Sequence, residues 1–422
     1  MTSEVCMMNR LAVVLAADSA TTITQWTDQG KQERYFKGAN KVFQLSNLHP
    51  VGVMIFDSAD ILRVPWEIVI KSFRTQLTTK SFNNVDEYAQ EFFSFITGNT
   101  SLFPESVQTE ITIAAARSAA LTVVAEAFDK DKDVDQNKAA IANAVKIRMS
   151  ELQALELADC LAKDGPDRIE KALGETLKTT LADWSAELGW PVDDILDELV
   201  LLGIEEVFKR PGDHFGTTGL VFAGFGDHDI FPTMVEYLSS GIIDNHSVHK
   251  RQNTTSIDHD TPAWLTAFAQ TSMSDTFSLG FSRDIYSSLM VAVDGTLKAY
   301  TDEIVADSGG DVASLGNVSA RIDAARQKIS DEVMSRARNE HALPLRRVLG
   351  VLPVDEMAEL AETLITLQSL KEKVTKPSET VGGPIDVAVI TKHEGLVWIK
   401  RKHFFDSELN SRYKLRQAAQ LR

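Results

Sequence analysis

Three residues near the start of the chain could do chemistry together: Thr2, Asp18 and Lys41. Once the initiator methionine is cut away, Thr2 carries a hydroxyl and a free α-amine on a single residue. Such an amine titrates at about 7.7–8.0, close to the pH at which a general base must work. Nucleophile and base then arrive in one residue, a recognised form of activated nucleophile that needs no histidine. Asp18 ends the apolar run LAVVLAAD, where a carboxylate is costly unless paired. Lys41 opens the apolar run KVFQL and is a candidate partner. If the three strands are adjacent, the ammonium favours a deprotonated Thr2 oxygen and a neutral amine, and Asp18 holds the ammonium in place. The plainer alternative makes Asp18 a turn cap, Lys41 a solvated edge residue and Thr2 an ordinary second residue. Pattern alone leaves both open.

Other features carry less. AGFGDHD has a Gly-x-Gly without the third glycine or following helix of a dinucleotide loop, so it reads as a strand-end turn. His228, His246, His249 and His259 share a region but no helical His-x-x-x-His spacing. Cys6 lies in mid-strand among apolar neighbours and reads as a buried, inert thiol. No metal and no cofactor is expected.

The elements that must position these residues fall into blocks. Residues 4–56 read as strands, with tight turns at Asn9-Arg10 and at Asp28-Gln29-Gly30-Lys31. SADILRVPWEIVIKSFRTQL carries a helical stripe from Ile61 to Phe73, with Ser58 as its cap and Pro65 near its first turn. Residues 80–210 read as helices. Strands return from Gly219 to about Gln252. Thr261-Pro262 marks a new helix start, and helices run to about Lys376 with a break near 309–316. The end forms a hairpin around Lys392-His393-Glu394-Gly395. Segregated blocks of this kind indicate α+β with antiparallel sheets, not an alternating parallel sheet.

Bulk properties narrow the classes. The 422 residues suffice for one large domain or two ordinary ones, and 44% hydrophobic with 24% charged residues is a globular composition. A formal charge of −17 argues against nucleic acid, which needs clustered Lys and Arg. Two cysteines far apart argue against a disulfide framework or a zinc site. No run spans a bilayer and no signal-peptide pattern opens the chain, so a cytoplasmic setting and no membrane partner are expected.

At Thr2, Asp18 and KVFQL the sequence resembles the catalytic β subunits of the proteasome, bacterial and archaeal types included, among the N-terminal-nucleophile hydrolases. That family places its acid sixteen positions after the threonine, the separation of Thr2 and Asp18. The separation from Thr2 to Lys41 is longer, as extra hairpin residues within 25–36 would make it. PVDEMAELAETLITLQSL is similar to the last long helix of the family, and GGPIDVAVITKHEGLVWI to its final hairpin, the most specific of the matches. FAGFGDHD is similar to its central strand. The resemblance covers residues 2–78, about 217–250 and 354–400.

The resemblance implies a four-layer αββα sandwich of two antiparallel sheets with a large helical insertion. Residues 2–78 form the first part of the core, 79–212 the insertion, and 213–422 the second part, with extended helices at about 300–376. It implies an N-terminal threonine amidohydrolase, a proteasome-like peptidase acting through an acyl-enzyme on Thr2. Lys41 tunes the nucleophile, Asp18 orients Lys41, and backbone N–H groups at Asp57 and Ser58 receive the oxyanion. Removal of methionine alone would expose Thr2. The family also implies a homo-oligomer, in ring form, and an unfoldase partner. Two departures keep other readings open. The turn IFDSAD has no glycine where the family has one, and the auxiliary segment reads PSETVGG, leaving Ser378 and Glu379 as stand-ins. The alternatives are a catalytically inactive assembly or binding protein, and an amidase for a small-molecule amide.

Overall fold

The turn at Asn9-Arg10 forms because the Asn9 carboxamide oxygen accepts the N–H groups of Leu11 (2.9 Å) and Ala12 (3.2 Å), closing an Asx turn. It joins β1 (Ser3–Asn9) to β2 (Ala12–Ala17) in antiparallel register, with Glu4 opposite Ala17. The structure, a computed structural model, describes residues 2–27, 30–307, 317–375, 381–406 and 408–419. The expected turn at 28–31 lies partly, and the break at 309–316 wholly, outside these residues.

In chain order there follow β3 (Ala20–Thr27), β4 (Gly30–Lys37), β5 (Val42–Gln44), β6 (Val51–Asp57), β7 (Asp60–Ile61) and β8 (Val64–Pro65). Seven helices come next: α1 (Trp66–Leu77), α2 (Val85–Ile96), α3 (Glu105–Ala127), α4 (Val134–Gln153), α5 (Gly165–Leu188), α6 (Leu196–Lys209) and α7 (Pro211–His214). Strands β9 (Thr218–Gly224), β10 (Thr233–Ile243), β11 (His246–Ser256) and β12 (Ala263–Ala269) precede α8 (Ser272–Leu279), α9 (Arg283–Asp307), α10 (Val318–Ala337), α11 (Leu343–Leu349) and α12 (Val354–Thr375). The chain continues with β13 (Asp386–Thr391), β14 (Gly395–Lys400) and α13 (Ser411–Ala419). The class is α+β with antiparallel sheets. Among the described residues no helix is long and apolar enough to cross a membrane.

Two compact units divide the chain. One takes Met1–Val42, Ile230–Pro232 and Ser256–Arg422. Its sheet runs β12-β1-β2-β13-β14. Alternate residues of its strands, among them Val5, Met7, Val14, Ala16 and Val387, pack against Met357, Ala361, Leu364 and Ile365 of α12. Glu4, Cys6 and Met8 point to the opposite face and are buried as well.

The other unit takes Phe43–Asp229 and Thr233–Thr255, with sheet order β11-β10-β9-β6-β5. Trp66 and Phe73 of α1 and Phe92 and Phe93 of α2 pack with Val53, Leu220, Phe222 and Tyr237 into one core. Helices α3–α6 build a second core around Ala116, Leu181, Leu202 and Phe208. There Gly203 lets two helices touch backbone to backbone, since a Cβ at that position would stand 2.4 Å from the Ala116 carbonyl oxygen.

Three expectations are corrected. The helix read from Ser58 begins at Trp66, because residues 60–65 form the short ribbon β7–β8 ahead of it. Thr261-Pro262 starts no helix; Ala263–Ala269 is a strand that pairs along the whole of β1. Strand β5 lies at the edge of the second sheet, so the strands that follow Thr2, precede Asp18 and follow Lys41 are not three neighbours of one sheet.

Candidate functional site

Thr2 directly precedes β1, Asp18 follows β2, and Lys41 precedes β5. The β1–β2 register sets Ser3 beside Asp18: the Ser3 N–H donates to Asp18 Oδ1 at 3.1 Å, and the Asp18 N–H donates to the Ser3 carbonyl at 3.2 Å. The Lys41 ammonium meets the same Oδ1 at 2.5 Å. Oδ2 accepts the N–H groups of Gly382 at 2.7 Å and Ala20 at 3.2 Å. Asp18 is 1% and Lys41 4% exposed, so the carboxylate is paid for in full by one cation and three backbone donors. Neither residue is a solvated cap or edge side chain.

Thr2 is held by its backbone: its carbonyl accepts the Gln270 N–H at 2.9 Å, and the neighbouring Ser3 hydroxyl donates to the Gln270 carbonyl at 3.2 Å. The Thr2 hydroxyl is buried and has no hydrogen-bond partner among the described residues. It is a polar group waiting for one, an expensive state that cores avoid.

Two features of this site escape a reading of side-chain motifs. Glu4 is fully buried, with its carboxylate 3.6 Å from the Lys41 ammonium. Its signal was available: a lone acid in the apolar strand SEVCMM, two positions after Thr2. Gly382 contributes through its backbone and so has no side-chain signature. It reaches Asp18 because Gly382 and Gly383 adopt φ of +151° and +81°, and because residue 383 has no Cβ to press on Lys37 and Ser19. The Ser19 N–H to the Gly382 carbonyl (3.1 Å) and the Ser19 hydroxyl to the Pro384 carbonyl pin the segment down. Ser378 and Glu379 lie outside the described residues.

Asp57 and Ser58 belong to the second unit. Asp57 takes φ +67°, the left-handed conformation in which glycine is at ease and Asp is among the few tolerated replacements. A turn with this dihedral therefore forms here without a glycine. Trp66 Nε1 donates to Thr218 Oγ1 (2.9 Å), which donates to the Ser58 carbonyl (3.2 Å) and fixes the turn from below. The Ser58 N–H is already committed to the Thr217 carbonyl at 3.3 Å. Antiparallel alternation then aims the Asp57 N–H away from β9. Desolvation by the surrounding protein raises the Asp57 carboxyl above the ordinary carboxylate range.

No protein-family model matches the chain, and no curated protein matches it. Among solved structures the chain is similar to the Gly-1 mutant of Anbu from Hyphomicrobium sp. strain MC1. The identity is 9%, 99% of this chain and 96% of that chain are covered, and the TM-score is 0.27.

The remaining candidates do not assemble a second centre. His249 stacks on Phe93 with ring centroids 3.8 Å apart, and His246 bonds the Asp244 carbonyl. Among the described residues no three His, Cys, Asp or Glu side chains gather as a metal site requires. Gly226 sits in a turn closed by Asp229 and followed by a strand, without the helix that a dinucleotide loop needs. Cys6 is buried, and burial pushes its thiol up to about 12.

Proposed function

We propose that the chain is an N-terminal threonine amidohydrolase, proteasome-like in its chemistry, whose two sheets belong to an αββα sandwich enlarged by the helical insertion at 79–212. The observation that carries this is the buried Lys41–Asp18 pair, hydrogen-bonded to the backbone of Ser3 directly behind an unpartnered Thr2 hydroxyl. In this reading Thr2 Oγ attacks an amide carbonyl and gives its proton to its own α-amine. The C–N bond breaks, the leaving amine takes that proton, and an ester remains on Thr2. Water then hydrolyses the ester and restores the hydroxyl. Lys41 stabilises negative charge on Oγ, Asp18 aims Lys41, and of the two candidate oxyanion donors the reading keeps the Asp57 N–H, since that of Ser58 is engaged. Peptides are the first substrate class, with small amides beside them. Self-assembly into a ring and an unfoldase partner belong to the same proposal.

A second reading, a non-catalytic assembly module, is favoured by one observation: Thr2 is only 5% exposed, which closes its hydroxyl to a ligand until the chain ahead is cut or the site opens. Intact mass, an N-terminal-threonine-directed covalent probe and peptide mapping decide between the two. Label on Thr2, absent in Thr2→Ala, is the expected result; a retained Met1 or an unlabelled Thr2 sinks the enzyme.

A further inference from the structure

Resting on the self-assembly proposed above and on nothing at Thr2, we infer that residues 403–419 dock onto the opening of α12 in a second copy of this chain. Seven of the chain's 43 Lys and Arg fall in residues 400–422, against two of its 60 acids, Asp406 and Glu408. A basic segment thus stands on a protein of net charge −17, and its counterpart is an acidic surface. Among the described side chains of α13 only Tyr413 is shielded, by Phe405 and His403 of the same segment (ring centroids 4.9 and 5.8 Å). A helix of nine residues with so little covered is marginal in water. Phe404, Leu409 and Leu415 are exposed, and so are Arg412, Lys414 and Arg416.

The complementary surface belongs to the same unit. Between Val348 and Leu370 the sequence has no Lys or Arg. Asp355, Glu356 and Glu359 in the first turns of α12 are exposed and, among the described residues, form no ion pair. Val348 and Val351, exposed just ahead of them, add apolar surface. Charged and apolar groups are therefore matched in kind on the two faces. The sheet keeps those faces apart. Lys402 bonds Asp386 through its N–H (2.8 Å) and its ammonium, and Asp386 pairs with Ala17, so the segment departs from the end of the sheet that holds Asp18. The Asn9 carboxamide donates to the Leu349 and Leu352 carbonyls (3.2 and 3.1 Å), so α12 opens at the other end. The strand from Ser3 to Asn9 puts about 20 Å between them. A docking element at one end of a sheet and its acceptor at the other join copies head to tail, the arrangement that makes a ring when the rotation closes.

The test is sedimentation of the full chain at rising concentration, with Thr2 labelling read in parallel. Three forms are compared: parent, Arg412→Glu/Lys414→Glu/Arg416→Glu, and Glu356→Lys/Glu359→Lys. The parent should self-associate, about tenfold more weakly at high than at low salt. Each reversed variant should lose about tenfold or more in affinity. Mixed together, the two should associate again, since each then offers the other an opposite charge. All five positions are exposed, and should one variant fail to fold, assembly of the other decides alone. A parent that stays monomeric, reversed variants that assemble as the parent does, or a mixture that stays apart overturns the inference. Binding of a monomeric parent to phosphatidylserine vesicles overturns it too, in favour of a membrane surface. Thr2 labelling in a monomeric parent keeps the threonine chemistry while this interface falls; charge-dependent assembly without labelling does the reverse.

Discussion

Replacing Lys41 by methionine keeps an unbranched apolar stem of similar length and deletes only the charge. It leaves the Asp18 carboxylate inside the protein with backbone donors but no cation, and removes the ion pair of Glu4. At an effective dielectric of about 20, the separations of 2.5 and 3.6 Å correspond to about 7 and about 5 kcal/mol of attraction before desolvation is subtracted. Breaking a buried pair by removing one partner costs about 3–5 kcal/mol net, a large part of the about 5–15 kcal/mol that holds a domain folded. We expect Lys41→Met to lose about 3–5 kcal/mol at neutral pH, seen as a fall in the urea midpoint at unchanged m-value. A loss below about 1 kcal/mol would refute the assignment of Lys41 as a buried counter-ion.

Other perturbations test the frame and its buried groups. Gly203→Ala sets a methyl against the Ala116 backbone and should cost about 2 kcal/mol or more by urea unfolding; a neutral result would mean the α3–α6 approach is loose. Burial holds His249 below the ordinary histidine range, so the unfolded chain takes a proton first and stability drains away as pH falls below about 6.5. His249→Phe should flatten that slope in thermal melts between neutral and mildly acidic pH, and an unchanged slope would place the titration elsewhere. Cys6 should resist iodoacetamide in the native protein at neutral pH and react after unfolding; a carboxymethyl group on its peptide before unfolding would contradict its burial.

The Asp18–Lys41 pair was legible only in part: a carboxylate at the end of LAVVLAAD calls for a partner, but the pattern left a turn cap and a solvated lysine equally open. The hairpin at 386–400 was legible for the usual reason, two apolar runs around a glycine, and Gly395 does take φ +70°. Strand β12 was hidden because Thr-Pro is as good a helix opening as a strand entry. Only pairing with β1 decides for the strand, although AWLTAFA already carries aromatic and β-branched residues. The start of α1 was misplaced because Ile61 and Leu62 fit a helical stripe and a short ribbon equally well. Nothing in IFDSAD announces that Asp57 takes a left-handed conformation, since that is written in a dihedral angle. The part played by Gly382 was out of reach for the same kind of reason: it acts through an N–H that every residue but proline has.

The four donors that satisfy Asp18 come from 2, 15, 23 and 364 positions away. Closing the longest of these loops means that the carboxylate is not fully dressed until a distant stretch of chain has docked, which is slow and comes late in folding. A half-made or misfolded copy therefore carries its threonine beside an unfinished counter-ion. In the threonine reading proposed above, that wiring leaves the site incomplete until residues 381–384 have been made and docked.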